Sequence, residues 1–393
     1  MLKQLKKTAI LSTLMAGSFA AGLSLQPVLA ETPTFTSFIQ IFDKIKLEYV
    51  EKDVDEQKLV DGAIEGMLSV LNDPYTRYIN KSEFAQMNQE RQGSFSGIGI
   101  QIGVRDEKLT VIAPIEDTPA WKAGLLAGDI IQAIEGKETK GMDVNDAVEL
   151  IRGREGTPVM LKVFRPETEE VKDVKIVRGT IENQIVKAKM LRDKVGYLRL
   201  TTFMQNNAPG KMRDALNELK KQGMKSLVLD LRSNPGGLLP NAVDIGSMFI
   251  EKKQGPIVRI VDREGREEVL NPRGSMAIPA NMPMVVLIDG GSASASEILA
   301  GALKDTSRAT LVGTRSFGKG LVQTVHTLDD GGALAITTNK YLTTKGTDIN
   351  KKGIDPDVEV KLPKELLSKP YDEKKDVQLN KAVEILTSPM ARK

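Results

Sequence analysis

The apolar positions of the first 90 residues recur with a helical period. Across residues 36–90 these positions are Phe38, Phe42, Ile45, Leu59, Ala63, Met67 and Leu71. A spacing of three to four residues predicts amphipathic helices. The sequence Asn72-Asp73-Pro74 then breaks the chain, since asparagine, aspartate and proline favour turns.

The pattern changes in residues 93–178, where short β-rich apolar runs alternate with glycine-containing turns. These runs, at residues 98–102, 109–112, 130–134 and 159–164, predict β-strands. One amphipathic helix interrupts them, and its apolar face consists of Val144, Ala147, Val148 and Ile151. The region is predicted as a small β-rich domain.

Residues 181–360 alternate between buried-strand runs and helical patterns. The strand runs lie at residues 195–200, 226–231, 284–288 and 309–312, and one helical stripe consists of Met212, Ala215, Leu216 and Leu219. Such alternation is typical of an α/β domain with a largely parallel sheet. A lysine-rich tail beyond residue 362 carries a further helical stripe at Leu379, Ala382, Val383 and Leu386. A chain of 393 residues with this organisation is predicted to be a multidomain α/β (α+β) protein.

The first 30 residues have the pattern of a secretory signal peptide. Three lysines precede an apolar stretch at residues 9–25, and small residues at 28–30 offer a cleavage point before Glu31. We therefore expect an extracytoplasmic protein, with an uncleaved membrane anchor as the alternative. No later run is apolar and long enough to predict a membrane span.

Charge and composition exclude several classes of function. The net charge is +3, and removing the three lysines of the signal leaves a mature chain near neutrality, which gives no basis for binding nucleic acid or an anionic membrane. The chain has no cysteine, so disulfides, a thiol nucleophile and thiolate metal ligands are excluded. We expect no cofactor and no metal.

Glycines just before and within the first β-rich run predict a carboxylate-binding site. In Phe95-Ser-Gly-Ile-Gly-Ile-Gln-Ile-Gly103 the backbone at Gly97, Ile98, Gly99 and Ile100 can turn so that successive N–H groups converge on an anion. A strand beside such a nest can accept an extended peptide through its C-terminus. Glycines in strands more often mark a bulge, so the motif is weak evidence by itself.

The chemistry of the chain points to a serine with a lysine base. The single histidine, His326, lies in an alternating strand pattern without an evident acidic partner, which disfavours a Ser-His-Asp site and zinc hydrolysis. By contrast, Gly291-Ser-Ala-Ser-Ala-Ser-Glu297 follows a buried strand and opens a helix. Ser294 with Glu297 fits a capping box, and the same position exposes a serine hydroxyl beside the Ala295 N–H at a positive helix end.

The other predicted site residues lie on two glycine-containing segments. Asn234-Pro-Gly-Gly237 ends a strand and offers a second oxyanion donor, although a plain turn explains it equally well. Lys319 as a general base needs its pKa lowered by roughly 3 units from about 10.4, which burial can supply. Gln323, four residues further along a strand-like run, is predicted on the same face, where its amide oxygen orients the lysine amine.

Two other motifs overlap Lys319. Residues 313–320 nearly fit a phosphate-binding P-loop, but Gly320 occupies the position of the magnesium-binding hydroxyl, and a strand pattern follows instead of a helix. Ser316-Phe-Gly-Lys319 matches the S-x-x-K motif of penicillin-binding enzymes, which needs one helical turn that Gly318 disfavours. An enzyme that binds nucleotides through a P-loop is therefore a further alternative to a serine–lysine hydrolase.

Several motifs together resemble known families. Residues 119–136 resemble the middle of a bacterial PDZ domain, whose second groove wall corresponds to the helix at 143–152. Over nearly the whole mature chain the sequence is similar to the carboxyl-terminal processing peptidases, or tail-specific proteases. The matching segments are residues 73–78, Asp230-Leu-Arg-Ser-Asn-Pro-Gly-Gly237, the Ser-Ala-Ser-Ala-Ser-Glu run, Phe317-Gly-Lys-Gly-Leu-Val-Gln323 and residues 353–357.

The resemblance implies a domain order and roles for individual residues. The expected domains are a signal peptide (1–30), an N-terminal helical region (31–92), a PDZ domain (93–178), a protease core (179–362) and a C-terminal helical tail (363–393). Ser294 is implied as the nucleophile, Lys319 as the base and Gln323 as its support. Ala295 and Gly237, in preference to Gly236, are implied as the oxyanion hole. The implied groove has Ile98, Ile100 and Ile102 opposite the apolar face of the helix, where some of these side chains belong to the core.

The implied function is a secreted serine endopeptidase that recognises C-termini and cuts through an acyl-enzyme. In this interpretation the PDZ domain gates the protease, and Arg152, after the groove helix, is a candidate link. The implied partners are protein substrates with apolar C-terminal tails, an activating protein, and a second copy of the chain bound through the terminal helices. The main alternative is a PDZ adaptor with an inactive hydrolase domain that binds tails without cutting them.

Overall fold

The computed structural model of the protein describes residues 33–115, 117–182, 184–363 and 373–388. The predicted signal peptide, residues 1–30, and part of the predicted C-terminal tail lie outside the described residues. The chain divides into two compact units, one ending at Tyr78 and the other beginning at Ile79. Among the described residues no helix combines the length and the apolar character needed to cross a bilayer.

The first unit contains two helices, α1 (Pro33–Glu48) and α2 (Glu56–Ser69). Helix α2 begins where the Asp55 carboxylate accepts a hydrogen bond from the Lys58 amide, which satisfies one of the free amides of the first turn. The predicted break follows α2, where Asn72 has a φ of 51°, a left-handed conformation that asparagine tolerates. Strand β1 (Arg77–Ile79) lies at the boundary of the two units.

The second unit opens with helix α3 (Lys81–Gln92), which Asn80 caps at its N-terminus and Gly93 ends in a left-handed conformation. The region predicted as a PDZ domain follows. Its helices and strands are β2 (Ser94–Gly97), β3 (Ile100–Arg105), β4 (Lys108–Pro114), α4 (Pro119–Lys122), β5 (Ile130–Ile134), β6 (Lys137–Glu138), α5 (Val144–Ile151), β7 (Pro158–Arg165), β8 (Glu170–Val177) and β9 (Gly179–Glu182).

One sheet forms this region, with strands in the order β3-β4-β5-β7-β8 and β6 paired with β5. Strand β3 is therefore at an edge, and α5 lies against it. Strands β2 and β9 form a separate antiparallel pair where the chain enters and leaves the domain. The prediction of one strand over residues 98–102 was wrong, because the chain turns at Gly99 (φ +80°) and β3 begins only at Ile100.

The remaining residues form the α/β core. Its elements are β10 (Val186–Met190), β11 (Val195–Leu200), α6 (Ala208–Lys221), β12 (Ser226–Asp230), α7 (Leu239–Gly246), β13 (Val258–Asp262), β14 (Glu267–Leu270), β15 (Met284–Ile288), α8 (Ala295–Asp305), β16 (Thr310–Gly313), β17 (Leu321–Thr327), β18 (Ala333–Leu342), β19 (Val358–Glu359) and α9 (Val377–Thr387). Six of these strands form one sheet in the order β10-β11-β12-β15-β16-β19, parallel except for β10.

Both faces of this sheet are covered, as its nearly continuous apolar strands require. Alternate strand residues such as Leu229 and Val286 pack with α6, α7 and α8, whereas Val228 and Val285 point to the other face. On that face they meet Leu379, Ala382, Val383 and Leu386, the predicted stripe of α9. The stripe is thus buried within the chain. A second, mainly antiparallel sheet contains β14, β13, β18 and β17, in which β18 lies between β13 and β17.

Candidate active site

Ser294 stands at the junction between β15 and α8, at the carboxyl edge of the parallel sheet. Its backbone has φ 54° and ψ −114°, a conformation that costs a serine about 1–3 kcal/mol and persists because surrounding contacts hold it. The neighbouring Ser292 and Ser296 are fully buried, and their hydroxyls donate to the carbonyls of Leu231 and Asn234 at 2.8 and 2.9 Å. Ser294 is partly exposed, so of the three serines it is the one placed for chemistry.

The buried Glu297 carboxylate joins the Ser294 segment to the Lys319 segment. Its Oε2 accepts hydrogen bonds from the amides of Ser294 and Lys319, both at 2.9 Å. Its Oε1 accepts from the Gly318 amide at 2.7 Å and the Ser316 hydroxyl at 2.6 Å. Four donors thus share one carboxylate in a position with no solvent exposure. Sequence reasoning recognised Glu297 only as part of a helix cap, of which the bond from the Ser294 amide is present.

Lys319 lies in the irregular segment between β16 and β17, and its side chain is half-buried. The amide of Phe317 donates to the Ser292 carbonyl at 3.0 Å, which holds this segment against the loop that carries Ser294. Strand β17 follows the segment, as the sequence predicted. A P-loop or an S-x-x-K motif would instead require a helix here.

The prediction that Lys319 and Gln323 lie on the same face of one strand was wrong. Lys319 precedes β17, and the pairing of β17 with β18 shifts register between Val322 and Gln323. Such a bulge interrupts the alternation on which the argument depended. Gln323 is nevertheless fixed, because its Nε2 donates to Thr337 Oγ1 at 3.0 Å. The role of Gln323 stays a prediction.

The Gly236–Gly237 turn lies directly beside the Ser294 segment. A Cβ at Gly236 would be 2.6 Å from the Ala293 carbonyl oxygen and 2.8 Å from the Ala295 nitrogen, so only glycine fits. The Gly236 amide is already used, since it donates to Asn234 Oδ1 at 2.9 Å. The Gly236 amide is thus occupied within the turn, and the role of Gly237 as an oxyanion donor stays a prediction.

A buried ion cluster lies at the start of the same turn. Arg232 donates to the carboxylates of Asp230 and Asp376 at 2.6 and 2.8 Å and to Gln378 Oε1 at 2.9 Å. Burial by itself would lower the pKa of the Arg232 guanidinium, but hydrogen bonds and charges from both aspartates outweigh it and raise the pKa above its usual value. Asp376 caps α9, so the cluster fastens the C-terminal helix to the strand that leads into the turn. The sequence offered no signal for this pairing.

The predicted peptide groove is divided between core and surface. Ile98, Ala147 and Ile151 are core residues, whereas Ile100 and Val148 are only half-buried, on β3 and α5. Two backbone hydrogen bonds from residues after β4 hold the loop before β3. The Ile98 carbonyl accepts from the Ala120 amide at 2.8 Å, and the Gly99 carbonyl accepts from the Ile115 amide at 2.9 Å.

Arg152 and His326 occupy different surroundings. Arg152 Nη1 donates to Gln89 Oε1 at 3.2 Å, and its guanidinium carbon lies 5.4 Å from the centre of the Phe95 ring. The groove helix is thereby connected to α3 and β2. His326 is exposed on β17, within the strand that its alternating pattern predicts. In the part of the chain that the structure describes, no cluster of three or more His, Asp or Glu side chains could hold a metal ion.

Comparison with known proteins matches three parts of the chain to described families. Residues 194–360 match peptidase family S41, residues 110–165 match the PDZ domain, and residues 23–83 match the activating protease CtpB N-terminal domain. The carboxy-terminal-processing protease of Bartonella bacilliformis is 41% identical over 338 residues, which is 85% of this chain and 77% of that protein. The carboxy-terminal processing protease CtpA of Bacillus subtilis is 39% identical over 329 residues, 84% of this chain and 69% of that protein.

Among solved structures, one from Bacteroides fragilis that is assigned to the S41 proteases superposes with a TM-score of 0.53 at 17% identity. The superposition covers 88% of this chain and 97% of the other, and at this identity it shows a shared fold only. The predicted fold class and family resemblance are confirmed by these matches.

Proposed function

This chain belongs to peptidase family S41 and is a carboxy-terminal processing serine protease, and from that premise we propose that Ser294 and Lys319 perform the catalysis. The observation that carries the proposal is the Glu297 carboxylate, whose Oε2 takes hydrogen bonds from the amides of both residues. A shared buried acceptor fixes two distant segments at one point, as nucleophile and base require.

The proposed reaction is an acyl transfer. The Ser294 Oγ attacks the carbonyl carbon of a peptide bond while the Lys319 amine takes the hydroxyl proton. The negative charge that develops on the carbonyl oxygen is stabilised by the amides of Ala295 and Gly237. Lys319 then returns the proton to the leaving amine, the C–N bond breaks, and water hydrolyses the acyl-enzyme by the same path. Gln323 orients the lysine amine.

The PDZ domain is proposed to capture the C-terminal tail of the substrate. Support comes from the position of β3 at the edge of its sheet, which can accept an extended peptide as an added strand. The half-buried Ile100 and Val148 supply apolar contacts, and the turn at Gly97–Gly99 supplies amides for the terminal carboxylate. Arg152, which contacts Gln89 and Phe95, is the proposed link from the groove helix to the rest of the second unit.

The protein is further proposed to act outside the cytoplasm, on the basis of the sequence pattern of residues 1–30. Its partners are proposed to be proteins or peptides with apolar C-terminal tails. A second copy of the chain and an activating protein are additional candidates.

The test is digestion of an unfolded protein that ends in an apolar tail, with products mapped by mass spectrometry. Wild type is compared with Ser294→Ala and Lys319→Ala, and the matched controls are Ser275→Ala and Lys221→Ala at exposed positions of the same domain. We expect cleavage by wild type and both controls, no cleavage by the two active-site variants, and no effect of EDTA.

Two further arms separate the proposed steps. A substrate with an amidated tail, and the variant Val148→Glu, should each slow cleavage if the groove captures the terminal carboxylate. Tail binding without any cleavage by wild type would favour the adaptor alternative. Cleavage that survives both Ser294→Ala and Lys319→Ala would show that the active site lies elsewhere.

A further inference from the structure

Tyr341 is a buried tyrosine that contacts both halves of the proposed active site. It lies on β18 and is 1% exposed. Its hydroxyl donates to the carbonyl oxygen of Ser294 at 3.2 Å, and its amide donates to the carbonyl of Gly320, next to Lys319, at 3.0 Å. We infer that Tyr341 is a positioning residue for the oxyanion hole. It acts by holding the peptide bond between Ser294 and Ala295.

The geometry of the Ser294–Ala295 peptide group links the Tyr341 hydroxyl to the Ala295 N–H. The Ser294 carbonyl and the Ala295 N–H belong to one planar trans peptide, in which oxygen and hydrogen point in opposite directions. A hydrogen bond that fixes the carbonyl oxygen therefore also fixes the direction of the Ala295 N–H. That nitrogen lies beside the Gly236 turn, since a Cβ at Gly236 would lie 2.8 Å from it. Tyr341 thus sets the orientation of the Ala295 amide beside this turn.

The strain at Ser294 makes this support necessary. The φ of 54° is unfavourable for serine, so the peptide groups before and after Ser294 both need contacts to keep their orientation. Glu297 holds the amide side of Ser294 at 2.9 Å, and the carbonyl side accepts from the Ile298 amide at 2.9 Å and from Tyr341. A donor on the carbonyl also polarises the peptide and strengthens its N–H as a donor. Tyr341 therefore affects both the orientation and the strength of the Ala295 donor.

Strand β18 extends the same control to the base. Its Thr337 accepts the hydrogen bond of Gln323, and the Tyr341 amide fixes Gly320. The oxyanion donor, the lysine segment and the glutamine thus share one strand as a template. Because the ring of Tyr341 fills the core while the hydroxyl alone reaches Ser294, Tyr341→Phe removes the hydrogen bond and keeps the packing. The Ser294 carbonyl retains its bond from the Ile298 amide in this variant.

The inference rests on the proposed function, and the experiment distinguishes the two. Cleavage kinetics of Tyr341→Phe are compared with wild type and with Tyr197→Phe. Tyr197 is a matched control, a buried tyrosine of the same domain whose hydroxyl donates to Asp230 at 2.7 Å. The probes are a substrate-derived peptide aldehyde, whose adduct places an oxyanion in the hole, and the corresponding peptide alcohol, which cannot form one. Circular dichroism establishes the folded fraction of each variant.

For Tyr341→Phe we expect kcat to fall about tenfold, the limit for one neutral hydrogen bond, with KM unchanged. The inhibition constant of the aldehyde should rise by the same factor and that of the alcohol should stay constant. Tyr197→Phe should leave all four quantities unchanged. Equal weakening of aldehyde and alcohol, an unchanged kcat, or the same kcat loss in Tyr197→Phe would overturn the inference. Retained cleavage by Ser294→Ala would instead overturn the proposed function.

Discussion

Replacing Glu297 by glutamine tests whether its carboxylate joins the two halves of the proposed active site. In the structure the two carboxylate oxygens accept four hydrogen bonds, from Ser294, Ser316, Gly318 and Lys319. In Glu297→Gln an NH₂ group replaces one oxygen, so two of the four donors face another donor. Hydrogen bonds to a charged group contribute about 1.5–3 kcal/mol each, so the variant should lose roughly 3–6 kcal/mol of unfolding free energy. This is a large part of the roughly 5–15 kcal/mol that stabilises a typical domain.

Activity should fall further than stability alone would require. If the amides of Ser294 and Lys319 lose their common acceptor, the distance between nucleophile and base is no longer fixed, and a displacement of about 1 Å can lower the rate about a hundredfold. Urea unfolding followed by circular dichroism measures the stability, and peptide cleavage at a temperature where the variant is folded measures kcat. Hydrogen exchange with mass spectrometry should show faster exchange in residues 314–320.

The control is Glu218→Gln on α6, where the carboxylate is exposed and accepts from Gln222 at 3.1 Å. This change should alter neither the urea midpoint nor kcat. If Glu297→Gln unfolds at the wild-type urea concentration, or if its exchange pattern in residues 314–320 is unchanged, then the carboxylate does not hold the two segments together. The reasoning that assigns it this role would then be refuted.

Three further changes test other parts of the structure. Arg232→Ala removes the guanidinium that bridges the buried carboxylates of Asp230 and Asp376, and urea unfolding should show a loss of about 3–5 kcal/mol. Gly236→Ala introduces a Cβ 2.6 Å from a backbone oxygen at a φ of +96° and should abolish cleavage, whereas Gly210→Ala on α6, with open space around the Cβ, should raise stability by about 0.5–1 kcal/mol. His326→Ala at its exposed position should leave both kcat and its pH profile unchanged, because the proposed base is a lysine.

Local pattern was sufficient for most of the secondary structure. The runs at residues 195–200 and 284–288 are β11 and β15 with the same bounds, and the stripe from Leu379 to Leu386 is the buried face of α9. The period of apolar residues indicates the type of element because side chains on one buried face recur about every 3.6 residues in a helix and every two residues in a strand. The same local logic indicated the serine at the strand-to-helix junction, the glycine turn and the lysine segment as candidate site residues.

The pattern could not identify contacts between distant segments. Arg232 and Asp376 are 144 residues apart, and Tyr341 is 47 residues from Ser294. Nothing in the period of β18 distinguishes a tyrosine that only fills the core from one whose hydroxyl reaches a catalytic peptide. The α-helical and β-strand periods report which face is buried, whereas the identity of the partner depends on how the elements pack.

The predicted peptide groove shows the same difference between what the sequence pattern indicates and what the tertiary structure shows. Ile98 and Ile100 are both isoleucines two positions apart in the same apolar run, and the sequence analysis predicted both in the groove. In the structure the left-handed turn at Gly99 sends Ile98 into the core and starts the edge strand at Ile100, which is only half-buried. Local sequence patterns were enough to indicate the family, most of the helices and strands, and the residue types available for catalysis. They could not show which serine is accessible, which glycine amide is already used or which buried side chains hold the site, because these depend on contacts between segments far apart in the chain.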